Sequence, residues 1–143
     1  MGRRGVGKFP AAGWRKMWRG QAGVEFATTA LVMLIVTFGI FVSAMSIYAY
    51  NFVSDSARDA VRYAIVNGSN SMTPATSSDI DQLVLNMAYG LDQKDITVTT
   101  TWTPNNNPGS VVSVQVTYNF MPLFPLSSVA LPLTSSSQMV ISH

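Results

Sequence analysis

One carboxylate stands out because of its position in the sequence. Glu25 is the only charged residue between Arg19 and Asp55, and most of the residues after it are apolar. A carboxylate at the edge of an apolar helix costs several kcal/mol unless a cation or hydrogen-bond donors compensate it. Gly20 lies five residues earlier, directly after a basic segment. This spacing raises two questions: why a glycine stands at position 20, and which charged partner compensates Glu25.

The helix dipole explains only part of this pattern. A carboxylate in the first turn of a helix is favoured by about 0.3 to 1 kcal/mol, which accounts for a Glu at that position. It does not account for the small-residue run Gly20-Gln21-Ala22-Gly23 after a basic segment. A specific processing site would explain both features.

The remaining reactive residues indicate no catalytic site. The sole histidine is His143, cysteine is absent, and no Gly-rich phosphate loop follows a strand. Asp79 and Asp81 lie at a predicted helix start, where capping is a better explanation than metal binding. Arg58 and Arg62 are expected to pair along a helix surface with the nearby acids. The sequence predicts no enzymatic activity, no catalytic residue, no metal and no cofactor.

The charges are strongly segregated along the chain. Six of the nine basic residues lie within residues 1–20, whereas residues 21–143 hold three basic and seven acidic residues, a net charge of −4. The high pI therefore describes a basic tail, and no nucleic-acid partner is predicted. Basic residues before an apolar span predict a cytoplasmic N-terminus. Residues 1–20 are interpreted as a basic cytoplasmic leader, disordered or lying on the membrane surface.

The apolar segment predicts a long helix that spans a membrane. Residues 27–50 contain 24 residues without a charge, and about 20 suffice to cross a bilayer. Tyr48 and Tyr50 lie at the far end, where aromatic residues favour the interface. The helix is predicted to cover residues 21–67, because its second half carries an apolar stripe on one face. That stripe comprises Val53, Ala57, Ala60, Val61, Ala64 and Ile65.

Residues 68–143 are expected to form an extracytoplasmic α+β domain. A capping pattern from Ser78 to Asp81 predicts a short helix that ends near Leu91. Alternating apolar residues predict two strands over residues 96–102 and 112–120, joined by a turn-rich connection, and a third strand after Pro132. Residues 121–132 are predicted to be irregular because they hold three prolines. The expected fold is a long helix packed on a short helix and an antiparallel sheet of three or four strands.

Several of these motifs resemble one family. The segment Gly20-Gln21-Ala22-Gly23-Val24-Glu25-Phe26 is similar to the cleavage motif of type IV prepilins, in which a basic leader ends in Gly and Glu is fifth in the mature chain. The Val-Glu-Phe-Ala variant of that motif resembles TadE-like pseudopilins of the tight-adherence (Tad/Flp) pilus system. So do the Ala-Arg-x-x-x-Arg-Tyr-Ala run over residues 57–64, the Tyr-x-Phe strand end over residues 118–120 and the closing Ser-rich strand.

The resemblance implies a structural role. In such a protein a prepilin peptidase cuts between Gly20 and Gln21, and Glu25 meets a cation of a neighbouring subunit during assembly. The implied fold is pilin-like, and the implied partners are the peptidase, other pilins or pseudopilins, the Tad inner-membrane platform and the membrane itself. The implied location is the bacterial inner membrane, crossed once, with possible assembly into a pilus. Lateral helix packing is expected to use the small residues Ala30, Gly39 and Ala44.

Two other interpretations of the apolar segment stay open at this point. A secretory signal peptide would use residues 27–41 as its apolar region and be cut after Ala44, which would release a soluble domain. An uncleaved single-pass membrane protein would instead present a small extracytoplasmic binding domain. The three interpretations predict different mature N-termini: Gln21, Met45, or the original Met1 or Gly2.

Overall fold

The computed structural model describes residues 1–2, 14–121 and 130–142, with backbone only for residues 14–19. The basic residues at positions 3, 4 and 8, most of the predicted irregular segment and His143 lie outside the described residues. The chain divides into two compact units, Met1–Phe41 and Val42–His143, and the second is called the sheet unit.

The first element, α1, is a helix of 53 residues from Trp14 to Val66. It begins earlier than the predicted start at residue 21, so the last part of the predicted leader is helical. No proline or glycine interrupts residues 14–19, and most of their side chains are good helix formers. At its other end the helix stops one residue short of the predicted Asn67, just before Gly68. Among the described residues one helical stretch, Gly20–Val66, is long and apolar enough to cross a membrane by length and composition.

The two parts of α1 differ in burial. Within the first unit nearly every described side chain is exposed, including large apolar ones such as Phe26, Met33 and Ile40. Within the second unit, one face of the helix is fully buried. The buried apolar residues of that face are Ala49, Val53, Ala57, Ala60, Val61 and Ala64. The stripe predicted from the sequence is therefore confirmed, except that Ile65 is only partly buried.

The second helix, α2, covers Ser77–Met87, and its cap differs from the prediction. Thr76 is the N-cap and Asp79 completes the capping box, so the predicted pair of Ser78 and Asp81 is wrong. Both pairs have the required spacing of three residues, and the helix uses the earlier pair, with Ile80 and Val84 on its buried face. The helix ends before the predicted Leu91 because a tight turn follows, with Gly90 at a φ of 73°.

A three-stranded antiparallel sheet follows a single 3₁₀ turn at Gln93–Asp95. The strands are β1 at Ile96–Thr103, β2 at Val111–Phe120 and β3 at Leu131–Val140, in the order β1-β2-β3. The predicted hairpin and C-terminal strand are confirmed. Pro132 lies inside β3, where it is tolerated because β3 is an edge strand.

The core joins the sheet to both helices. Alternate residues of the central strand β2 are buried, led by Val112, Val114 and Val116, and they share one cluster with Ile80, Val84 and the buried face of α1. The end of α1 also contacts the residues after β3, because the Ser142 backbone N–H donates a hydrogen bond to the Ile65 carbonyl at 3.4 Å. The architecture is α+β and consistent with a pilin-like fold.

Candidate processing and assembly site

The predicted cleavage bond lies inside α1. Gly20 and Gln21 are both helical and exposed, and a Cβ built on Gly20 or Gly23 would meet no atom within 4 Å. Neither glycine is therefore required by packing within the described chain. Each glycine weakens a helix by about 1 kcal/mol relative to alanine. The segment around residues 20–23 is thus the part of the apolar helix that unwinds at the lowest cost.

Glu25 lies one turn further along α1, with its side chain exposed. Its backbone carbonyl accepts a hydrogen bond from Thr29 Oγ1 at 2.9 Å, and the Val24 carbonyl accepts one from Thr28 Oγ1 at 2.9 Å. None of the side chains that the structure describes forms an ion pair with the Glu25 carboxylate. In an apolar environment this carboxylate would need a cation from outside those side chains.

The helix geometry reveals a polar stripe that contains Glu25 and that the sequence analysis missed. At 3.6 residues per turn, each residue advances by about 100°. On that basis most polar residues of the apolar segment fall within about 60° of Glu25. They are Gln21, Thr28, Thr29, Ser43 and Ser46. The signal was present in the sequence as a period of 3.6 among the few polar residues of an apolar run.

The three small residues predicted to allow close helix packing do not share one face. Gly39 lies about 40° from Glu25, and therefore on the polar stripe. Ala30 and Ala44 lie about 40° from each other, but each is 100° or more from Glu25, by roughly the same arithmetic. The helix therefore presents two separate small-residue positions, one with Glu25 and one away from it.

The other charged candidates have structural explanations. Asp79 Oδ2 accepts hydrogen bonds from Thr76 Oγ1 at 2.7 Å and from the Thr76 backbone N–H at 3.0 Å. These bonds, the side-chain bond first, hold the pKa of Asp79 below its usual 3.8. Asp79 is thus a capping residue, as the sequence analysis favoured.

The arginines behave as surface residues. Arg58 pairs with Asp55 at 3.9 Å, and both side chains are largely exposed, so this pair contributes little to stability. Arg62 and Asp59 are both described and do not form the predicted pair. Within the described residues, no group of three His, Cys, Asp or Glu side chains is placed to hold a metal ion.

Comparison with known proteins addresses the N-terminal part of the chain. The family model described as "TadE-like protein" matches residues 20–62. No curated protein and no solved structure matches the chain at a significant level. The resemblance drawn from the sequence motifs is therefore confirmed over the segment that begins at Gly20 and contains Glu25 and most of the buried face of α1.

Proposed function

We propose that this protein is a minor pilin or pseudopilin, a structural component of a tight-adherence pilus assembly, and that a prepilin peptidase removes residues 1–20. The family match associates the chain with proteins of the tight-adherence pilus. The long apolar helix and that match together indicate membrane association. The observation that carries the proposal is the match itself, because it starts at Gly20, the residue at which the cleavage motif ends its leader.

Cleavage after Gly20 requires local unwinding of α1. A protease reads an extended backbone, whereas the Gly20–Gln21 bond is helical in the uncut chain. Glycines at positions 20 and 23 lower the cost of unwinding by about 2 kcal/mol relative to alanines. The alternative cut between Ala44 and Met45 has no glycine within four residues on either side and lies in an uninterrupted part of α1. The local helix energetics therefore favour the cut at Gly20.

The cut also supplies a partner for Glu25. Hydrolysis leaves an α-amino group on Gln21 and removes the six cations of the leader. In a bundle of such helices, the Gln21 ammonium of one subunit would compensate the Glu25 carboxylate of its neighbour. The polar stripe through Gly39 and Ser43 would form the contact face, because small and hydroxyl-bearing residues let helices approach closely in lipid. Contact between the two helices would then shield the Glu25 carboxylates from lipid.

The proposed topology follows from the charge distribution. The basic leader stays in the cytoplasm, α1 crosses the inner membrane once, and the sheet unit lies outside the cytoplasm. The partners in this scheme are the prepilin peptidase, neighbouring pilins or pseudopilins, and the inner-membrane platform of the assembly system. The protein acts by packing and not by catalysis.

The mature N-terminus tests this proposal. The full chain is expressed with and without a prepilin peptidase, and the mass of the purified product is measured. We expect a chain that begins at Gln21 only when the peptidase is present, and loss of cleavage in Gly20→Val, with Gly5→Val in the leader as the matched control. A chain that begins at Met45 would show a secretory signal peptide, and an uncut chain in the presence of active peptidase would show a simple membrane anchor.

A further inference from the structure

One end of the sheet unit carries large apolar side chains that the core does not bury. It is the end at which β2 finishes and β3 begins, since Phe120 pairs with Leu131 across those strands. Met121 is 64% exposed and Leu131 is 52% exposed. On the loop after α2, Tyr89 is 78% exposed. Exposed apolar side chains that are grouped at one end of a protein mark a contact with a membrane or another protein.

That loop is fastened to α1. The Tyr48 hydroxyl donates a hydrogen bond of 2.7 Å to the Tyr89 backbone carbonyl. The positive φ of Gly90 turns the chain directly afterwards. The bond holds the Tyr89 backbone against the Tyr48 side chain, while the side chains of Tyr89 and Tyr48 are both exposed.

The same loop region also meets the end of β2. Burial raises the pKa of Tyr118, and the nearby charge of Asp95 raises it further. The 3₁₀ turn that contains Asp95 therefore lies close to Tyr118, two residues before the end of β2. Tyr89, Met121 and Leu131 thus belong to the end of the unit that faces the start of its α1 segment.

Helix length gives the depth of this end. Tyr48 lies 21 residues after Ala27, the first residue of the uncharged run, which corresponds to about 32 Å along a helix. The hydrocarbon core of a bilayer is about 30 Å thick. Tyr48 therefore lies near the outer end of the proposed span over residues 27–50, where aromatic residues favour the interface. The Tyr89 backbone lies next to the Tyr48 hydroxyl because of their hydrogen bond.

We propose that Tyr48, Tyr89, Met121 and Leu131 form a membrane-contact surface whose occupant is the interfacial layer of the lipid bilayer. The inference rests on the membrane placement of α1 in the proposed function. It adds a second attachment, made by the sheet unit itself, that fixes how close the unit sits to the lipid. Tyrosine rings suit this layer, where one end of a side chain is apolar and the other is hydrated, and the apolar side chains of Met121 and Leu131 suit its hydrocarbon side.

The local charge argues for an uncharged contact. The turn that follows this surface carries Asp92, Lys94 and Asp95, a net charge of −1. Attraction of lipids with anionic headgroups needs clustered basic residues, and this turn has a single basic residue, Lys94, between two acids. The contact is therefore expected to form on zwitterionic phosphatidylcholine without anionic lipid.

Site-directed spin labelling tests the contact, because the chain has no native cysteine. The full chain is placed in phosphatidylcholine nanodiscs with one label at Tyr89→Cys, Met121→Cys, Val36→Cys or Met72→Cys. Val36 lies in the apolar segment, and Met72 is a fully exposed residue in the loop at the opposite end of the unit. Collision rates with lipid-soluble oxygen and with a water-soluble nickel chelate are then compared.

The expected result is that labels at positions 89 and 121 meet oxygen several-fold more often, relative to nickel, than the label at position 72. The change Tyr89→Asp should move the label at position 121 toward water. If both labels are as hydrated as the one at position 72 while the label at position 36 is in lipid, the surface does not touch the membrane and this inference fails alone. A hydrated label at position 36 would refute the membrane placement as well. Spin–spin broadening that disappears on dilution with unlabelled chain would identify a second copy as the occupant.

Discussion

The two parts of α1 differ in the size and the exposure of their apolar side chains. In residues 20–41 the apolar side chains are large and exposed, and nothing within the described part of the first unit covers them. In residues 49–64 the buried face consists of alanine, valine and one serine, Ser56, under the sheet and α2. Small residues let a helix lie close to a sheet, whereas large exposed ones suit lipid or neighbouring helices. The comparison indicates that the first part of this continuous helix suits lipid or neighbouring helices, whereas the second part suits a protein core.

The largest expected effect concerns the buried part of this comparison. Ile80 lies on α2 and is fully buried in the core. Ile80→Ala should therefore lower the free energy of unfolding by about 2 to 5 kcal/mol. Denaturant unfolding of the full chain in detergent micelles, followed by near-ultraviolet circular dichroism, measures the change. The matched control is Ile47→Ala, because Ile47 is 62% exposed. An equal loss in both variants would contradict the assignment of the core.

A matched pair of substitutions on α1 compares its two parts directly. Ala57 has no exposed surface, so Ala57→Leu should overpack the interface with the sheet and cost about 1 to 3 kcal/mol. Ala27 is exposed, so Ala27→Leu should change the free energy of unfolding by less than about 0.5 kcal/mol. The same denaturation experiment serves for both. Equal effects would mean that the two parts of the helix do not differ as described.

The smallest expected effect is at the cap of α2. Thr76→Ala removes the side chain that bonds the first turn, and should cost about 1 kcal/mol. Ser77→Ala, one residue later, is the control, because Ser77 takes no part in the capping box.

The same cap predicts a dependence on pH. Because folding lowers the pKa of Asp79, the stability that its carboxylate contributes is present above the usual pKa of 3.8 and is lost as the pH falls through the lowered value. Thr76→Ala should weaken this acid-side dependence, since the Thr76 bonds cause the shift. Unchanged acid-side curvature in the variant would exclude the Thr76 hydroxyl as the main cause.

The sequence predicted the elements whose apolar periods are unambiguous. Alternation through Val112, Val114 and Val116 predicted the central strand, and the stripe through Val53 and Ala57 predicted the buried face of α1. The Ser78 cap was predicted wrongly because two overlapping residue pairs, Thr76 with Asp79 and Ser78 with Asp81, satisfy the same spacing, and the spacing alone does not select one. The early start of α1 was missed because residues 1–20 have no hydrophobic period.

Some features of the candidate site can be predicted from neighbouring residues in the sequence, whereas others depend on the helix geometry or on distant residues. The order of residues around Gly20 and Glu25 is local, and it was sufficient to indicate the family. The division of Ala30, Gly39 and Ala44 between faces required the helix geometry as well as the residue types. The bond between Tyr48 and Tyr89 joins residues 41 positions apart, so no local pattern could have predicted it.

The central claim is that Glu25 is an assembly charge whose partner is created by cleavage. Its most direct test is the amount of Glu25→Gln chain that enters the assembled pilus fraction relative to wild type, with mass measurement confirming that each chain begins at Gln21. Loss of one partner of a buried ion pair costs about 3 to 5 kcal/mol, so we predict that incorporation of the cleaved variant falls at least tenfold. Wild-type incorporation of cleaved Glu25→Gln would contradict the claim.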